Sequence, residues 1–238
     1  MQVIGHRGAA ALAPENTFES FDAALTVGAD AIETDVQETE DGELILIHDK
    51  TLDRTTNGKG EVRKTSWRII QTLDAGSWFG EKYRGAKVPL LSDALRRYGR
   101  RTQLVLEIKR TKSALKVLQL VRDLDLIERV TFTSFKLAVV RKVKARHPAA
   151  KVGFLASNVG DTDVKAALAA GMDQFCPAAC KVSPLLVAQW KALGLEVRAW
   201  GVKDIELMHS AIQAKVDGMT VDSPDLLLQA LGRHGTGK

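Results

Sequence analysis

The sequence has few of the features that mark several large protein classes. Its 238 residues include only two cysteines, Cys176 and Cys180, too few for a disulfide framework or a four-ligand zinc site. They flank Pro177 at a spacing unlike that of a CxxC redox pair, so unreactive buried thiols are the expectation. No stretch approaches the roughly 18 uninterrupted apolar residues of a membrane helix. A helical membrane-spanning protein is thereby excluded, and no stable membrane association is expected. The opening residues Met1-Gln2-Val3-Ile4-Gly5-His6-Arg7 lack the basic segment and apolar run of a secretory signal. With so few cysteines, a cytoplasmic protein is the expectation. Low-complexity segments, linkers and long internal repeats are also absent, so residues 1–238 are expected to form one domain.

Hydrophobic residues at 45% and charged residues at 26% are the balance of a globular chain. A net charge of +5 favours anionic partners. The densest basic run, Arg96-Arg97-Tyr98-Gly99-Arg100-Arg101, falls where a helix should end at Gly99, and cations suit the negative end of a helix dipole. No nucleic-acid motif accompanies it, so no nucleic-acid partner is expected. Nothing in the sequence fixes the oligomeric state.

Short β-rich runs alternate with helical patterns along most of the chain. The expected strands are Val3–Gly5, Ala31–Val36, Leu104–Ile108, Val130–Thr133, Val152–Leu155, Gln174–Cys176, Glu196–Trp200 and Gly218–Val221. Helical spacing follows each, as in Phe18, Phe21 and Leu25, or Ile205, Met208 and Ile212. Gly28, Gly171 and Gly194 fit helix stops; Ser183-Pro184 and Ser223-Pro224 fit helix starts. Eight βα units in series predict a parallel α/β barrel. One region departs from the alternation. Glu40-Asp41-Gly42-Glu43 reads as a turn and Leu44–Ile47 as a strand returning antiparallel. Residues 49–89 then carry no strong period and read as an insertion on the second unit, with Trp67 and Trp78 forming a small core of its own or covering substrate.

Glu33 and Asp35 are two apart on the second strand, and Glu107 and Lys109 are two apart on the third, so each pair shares a face. Carboxylates buried in the middle of a barrel would be badly desolvated. Their expected place is the open C-terminal mouth, where barrel active sites are built. With Asp41-Gly42 as a two-residue turn, His48 falls directly opposite Asp35. His6 ends the neighbouring first strand. Three carboxylates suit a hard divalent ion, Mg²⁺ or Ca²⁺, which leaves the histidines free to move protons near neutral pH. Arg7 and Lys109 add fixed positive charge suited to phosphate oxygens. Such a set can break a phosphodiester, although carboxylate-bound Mg²⁺ in a barrel also serves enolisation, so the substrate stays open at this point.

His6-Arg7-Gly8, Pro14-Glu15-Asn16-Thr17, Glu33-Thr34-Asp35, His48-Asp49, Leu52-Asp53-Arg54-Thr55-Thr56-Asn57-Gly58, Glu107-Ile108-Lys109, Ser134-Phe135 and Asp217-Gly218 with Asp222-Ser223-Pro224 together resemble the glycerophosphodiester phosphodiesterase family, its cytosolic bacterial members most closely. That resemblance implies a (β/α)₈ TIM barrel with a small insertion after the second barrel strand. It also implies hydrolysis of a small-molecule glycerophosphodiester to sn-glycerol 3-phosphate and an alcohol. On it, Glu33, Asp35 and Glu107 hold the metal, His6 and His48 are the acid–base pair, Arg7 and Lys109 bind phosphate, and Trp200 walls the glycerol side. The glycerol 2-hydroxyl acts as internal nucleophile, a route with little entropic cost. The chain departs from the family's frequent Trp-Thr-Val-Asn, reading Trp200-Gly201-Val202-Lys203. Lys203 is then expected to be a solvated residue before a helix.

Elsewhere, Pro14–Thr17 reads as a helix start from which Asn16 could also reach the site. Asp49 either orients His48 or caps a turn, and His147, His209 and His234 read as surface. Two rivals share these residues. Lysophospholipase D-like cleavage would favour an apolar surface at the insertion, which the polar stretch 54–64 opposes. A phosphate-ester binding protein without catalysis would be expected to lack a histidine, and both are present.

Overall fold

The computed structural model describes residues 1–233; His234 lies outside them. The elements run β1 (Gln2–Gly5), α1 (Phe18–Val27), β2 (Ala31–Glu38), β3 (Leu44–Leu46), α2 (Trp67–Ile70), α3 (Leu91–Tyr98), β4 (Gln103–Ile108), α4 (Ala114–Asp123), β5 (Val130–Ser134), α5 (Leu137–Arg146), β6 (Lys151–Ala156), α6 (Asp161–Ala169), β7 (Gln174–Pro177), α7 (Pro184–Ala192), β8 (Glu196–Ala199), α8 (Ile205–Gln213), β9 (Gly218–Val221) and α9 (Pro224–Ala230). Parallel pairing runs from β1 through β9 back to β4 and β2, and β2 pairs β1 to close the ring. The chain is a TIM barrel, with β3 as an antiparallel addition to β2. No helix among the described residues is long and apolar enough to cross a membrane.

Alternation along the strands separates two environments. On β2, Ile32 and Val36 point outward into the main core, where they meet Phe21 and Ala24 of α1 and Leu95 of α3. Glu33, Asp35 and Gln37 take the other face and are also buried. Near the strand starts the barrel interior holds a small apolar cluster of Ile4, Ala31 and Val105, and higher up Leu155 lines the cavity at the mouth. Most of the stabilising apolar burial is therefore in the layer between barrel and helices, which leaves the C-terminal half of the barrel interior for polar chemistry. Local signals fix the helix ends. The Thr17 hydroxyl accepts from Ser20 N–H at the start of α1, and Ser183 accepts from Leu186 N–H at the start of α7. The basic run closes α3, with Arg97 paired to Asp22 and its guanidinium over the Phe18 ring. Lys203 is exposed beside Asp204, the cap of α8, and His209 is exposed, whereas His147 is half-buried at the end of α5.

The β2–β3 register differs from the expected one. Val36 faces Leu46 and Gln37 faces Ile45, so Ile47 lies across from Asp35, its N–H donating to the Asp35 carbonyl at 3.1 Å. His48 is one residue further on, beyond the end of β3. The cause is the turn. Thr39 N–H bonds the Glu43 carbonyl at 2.9 Å, leaving three residues, Glu40 to Gly42, in the loop, with Gly42 at φ +90°. A type I turn followed by a left-handed glycine is the three-residue hairpin solution.

The following segment builds a second core from Ile45, Ile47, Leu52, Val62, Ile70 and Val88, with Trp67 packed against it. Trp78 does not join it; it is exposed and stands edge-on to Phe79. The insertion is anchored to the barrel by the Tyr83 hydroxyl donating to the Leu12 carbonyl at 2.7 Å.

The loop after β1 is clamped by Ser20, whose hydroxyl donates to the Arg7 carbonyl and accepts from Ala9 N–H, both at 2.9 Å. Gly8 stands there at φ +90°, and a Cβ would lie 2.3 Å from Ser20 Oγ and 2.6 Å from Ser20 C. Gly8→Ala is therefore expected to destabilise by about 2 kcal/mol or more. Calorimetry should find Tm lowered by about 4–8 °C; unchanged melting would mean that the loop does not need this conformation.

Candidate active site

Parallel register sets Asp35 beside Glu107 on adjacent strands, and Glu33 lies one inward position below Asp35. Carboxylate oxygens of all three come within 4.8 Å of one another. Burial and the neighbouring Asp35 charge push Glu107 up to about 7; the same two causes raise Glu33. Burial would raise Asp35 as well, but Lys109 and Arg7 hold it far below the usual carboxylate range. Lys109 Nζ sits 2.6 Å from both Asp35 Oδ1 and Glu107 Oε1. Arg7 Nε is 3.3 Å from Asp35 Oδ2, and Arg7 N–H donates to Glu33 Oε2 at 3.0 Å. An all-oxygen, acidic donor set of this kind fits a hard divalent ion.

Each histidine is held through one ring nitrogen. His6 Nδ1 bonds Asp222 Oδ1 at 2.6 Å, and His48 Nδ1 bonds Asp49 Oδ1 at 2.7 Å. The remaining nitrogens are free of protein bonds among the described residues; His6 Nε2 is 4.0 Å from Glu33. Burial alone would lower His6, but the Asp222 bond and the Glu33 charge carry it above its ordinary value. Asp49 is pulled down to about 2, chiefly by its bond to Arg54.

Arg54 links the two halves of the site. Its Nε donates to Asp49 Oδ2 and its Nη1 to Glu15 Oε2, each at 2.7 Å. Glu15 in turn accepts from Arg7 Nη1 at 2.8 Å. Asn16, buried with φ +57°, donates to Asp35 Oδ2 at 2.9 Å and accepts from the Thr34 hydroxyl at 2.6 Å. It therefore reaches the site, while Thr17 takes the capping role.

His6, Arg7, Glu33, His48, Glu107 and Trp200 line one cavity of about 180 Å³ at the barrel mouth. Trp200 donates through Nε1 to the Cys176 carbonyl at 3.0 Å and stacks edge-on with Phe135 at 4.9 Å. Cys176 is buried and free as expected, but Cys180, in the turn after β7, is exposed rather than buried. Asp35 and Lys109 do not line this cavity but contact residues that do, Asp35 through Arg7 and Lys109 through Glu107, so the residues singled out from the sequence lie together.

Sequence reasoning assigned no role to Glu15, Arg54, Asp222 or Arg198. Asp222 follows β9 as His6 follows β1, and these strands are paired; a charged residue just past a barrel strand was the available signal. Arg198 on β8 is fully buried, shares the inward face of Trp200 just past the strand, and bonds Thr220 through Nη1. Its Nε and Nη2 have no partner among the described residues, and it lines the same cavity. Inward alternation on β8 could have marked it.

The Glycerophosphoryl diester phosphodiesterase family matches residues 6–226. The chain is 36% identical over 239 residues to a glycerophosphodiester phosphodiesterase of Caldanaerobacter subterraneus subsp. tengcongensis, covering 98% of each. A solved glycerophosphodiester phosphodiesterase from Agrobacterium tumefaciens superimposes with a TM-score of 0.86 at 32% identity, over 96% of this chain and 99% of that one. A phosphodiesterase from Oleispira antarctica, solved with its product sn-glycerol-3-phosphate, gives 0.88 at 27% identity, over 98% and 97%. With the motifs, the barrel and these matches all extending over nearly its whole length, the chain belongs to the glycerophosphoryl diester phosphodiesterase family.

Proposed function

We propose that this protein hydrolyses glycerophosphodiesters to sn-glycerol 3-phosphate and an alcohol, with His6 and His48 as the proton-transfer pair. The observation that carries this reading is the pair of histidines on one cavity, each anchored by a carboxylate at Nδ1. A carboxylate on Nδ1 fixes ring orientation and leaves Nε2 for substrate. Arg7 and Lys109 bind the phosphate oxygens, and Trp200 stands against the glycerol carbons. Glu33, Asp35 and Glu107 would hold one Mg²⁺ or Ca²⁺, which when bound supplies positive charge for the phosphate oxygens and the glycerol hydroxyl.

In the first step, one histidine accepts the proton of the glycerol 2-hydroxyl as that oxygen forms a bond to phosphorus. The bond from phosphorus to the alcohol oxygen breaks, and the other histidine protonates the departing oxygen. A cyclic glycerol phosphate results. In the second step the roles reverse: one histidine takes a proton from water as its oxygen bonds to phosphorus, the bond from phosphorus to the glycerol 2-oxygen breaks, and the other histidine protonates that oxygen, leaving sn-glycerol 3-phosphate. Arg54, Glu15, Asp49 and Asp222 hold the Arg7 guanidinium and both imidazoles.

Replacing either His6 or His48 by Ala is expected to lower kcat by roughly 10²–10⁴-fold, measured by coupled release of glycerol 3-phosphate. Near-normal turnover would remove that residue from the mechanism. A double variant no slower than the singles is the expected signature of two groups acting as a unit.

A diester whose glycerol lacks the 2-hydroxyl should bind as a competitive inhibitor and turn over very slowly. Hydrolysis at the rate of the natural diester would favour direct attack by water.

Chelation should abolish turnover and Mg²⁺ or Ca²⁺ restore it. Thermal melting offers an independent readout, because an ion that binds only the folded chain raises Tm. Wild type is expected to gain more from added metal than Glu107→Gln, which keeps the shape and removes one ligand charge. Equal gains, or no gain in wild type, would take Glu107 or the whole cluster out of metal binding.

A further inference from the structure

A basic groove runs outward from Lys109. Next to the catalytic cavity lies a space of about 570 Å³ bordered by Glu107, Lys109 and Phe135. It leads into an outer one of about 350 Å³, and Gln37, Lys50, Lys109 and Lys136 border both. The outer part adds Arg63 and Arg110 against a single carboxylate, Glu61. That carboxylate is already paired with Arg63. Among the described residues, Lys50, Arg110 and Lys136 form no ion pair; Lys136 Nζ bonds only the Lys109 carbonyl, at 3.0 Å. These three cations come from the insertion, from the segment after β4 and from the segment after β5, which are far apart in sequence. Folding therefore gathers like charges around one opening, an arrangement that repels itself until an anion enters.

We propose that this groove is a leaving-group subsite for an alcohol that carries its own anion, a phosphate monoester or a carboxylate. The inference rests on the phosphodiesterase reading above. With the glycerol half against Trp200 and the phosphate on Arg7 and Lys109, the alcohol extends past Lys109 into the groove. No apolar side chain borders the outer part, so an acyl chain would find no wall there, and a cationic alcohol would meet like charge. The groove acts on capture of the diester, so its effect falls on kcat/KM.

The test compares diesters of glycerol 3-phosphate with choline, glycerol, glycolate and glycerol phosphate as the alcohol, at low and high salt. Both anionic alcohols are expected to give kcat/KM about ten- to a hundredfold above choline at low salt, with the preference shrinking at high salt. Preference for the phosphate alone would still support the subsite and identify a dianion as its ligand. In Lys50→Gln/Arg110→Gln the anionic-to-neutral ratio should fall severalfold. Because that ratio is taken within one preparation, it does not depend on the folded fraction. A wild-type ratio near one, or a ratio unchanged in the double variant, would overturn the subsite while leaving the phosphodiesterase reading intact. Failure to turn over any of the diesters would overturn both.

Discussion

Three buried carboxyl groups lie within 4.8 Å of one another at the barrel mouth, and the rest of the site is arranged around their repulsion. At an effective dielectric of 20, two charges at that distance repel by about 3–4 kcal/mol. Lys109 bridges Asp35 and Glu107, and Arg7 meets Asp35 with its side chain and Glu33 with its backbone N–H. These cations keep Asp35 ionised, yet Glu107 and Glu33 are still raised. Residual negative charge of this kind suits the divalent ion proposed above for these three carboxylates.

The neutralising groups must themselves be held. Arg7 is fixed by Glu15, Glu15 by Arg54, Arg54 by Asp49, and Asp49 by His48. One run of charge-assisted bonds therefore connects the loop after β1 to the start of the insertion, joining Arg7 to His48, the groups proposed above to bind phosphate and to move a proton. Such bonds are stronger than neutral ones and fix direction as well as distance. The insertion accordingly has a positional task. Its Leu52, Val62 and Ile70 pack with Ile45 of β3, which seats the segment carrying Asp49 and Arg54 beside the barrel. Along β2, β1 pairs residues 31–32 and β3 pairs residues 36–38, while β4 occupies the other edge. The chain ends leaving β1 and β3 thus emerge on the same side of β2, which is how His6 and His48 come to face one cavity.

Much of the fold was legible because barrel strands and helices carry strong local periods. The strand segments, the helix starts at Thr17 and Ser183, and the shared faces of Glu33 with Asp35 and Glu107 with Lys109 all follow from residue spacing. The hairpin register was not legible. Two- and three-residue turns differ by one position, and only the backbone bond from Thr39 to Glu43, with Gly42 left-handed, selects between them. Asp222, Glu15 and Arg54 were visible as charged residues but had no assignable partners, since each partner is distant in sequence or depends on a loop path.

By itself, the sequence determined which side chains could carry the chemistry and which way they face on their strands, because alternation along a strand is a local property of the backbone. Tertiary structure alone decided which carboxylate steadies each histidine, how Arg54 joins Arg7 to His48, and that Lys50, Arg110 and Lys136 surround one groove. Those outcomes depend on ring closure and on where loops return to the barrel. No local spacing encodes them, because the distances involved are set by packing between segments that the chain itself keeps far apart.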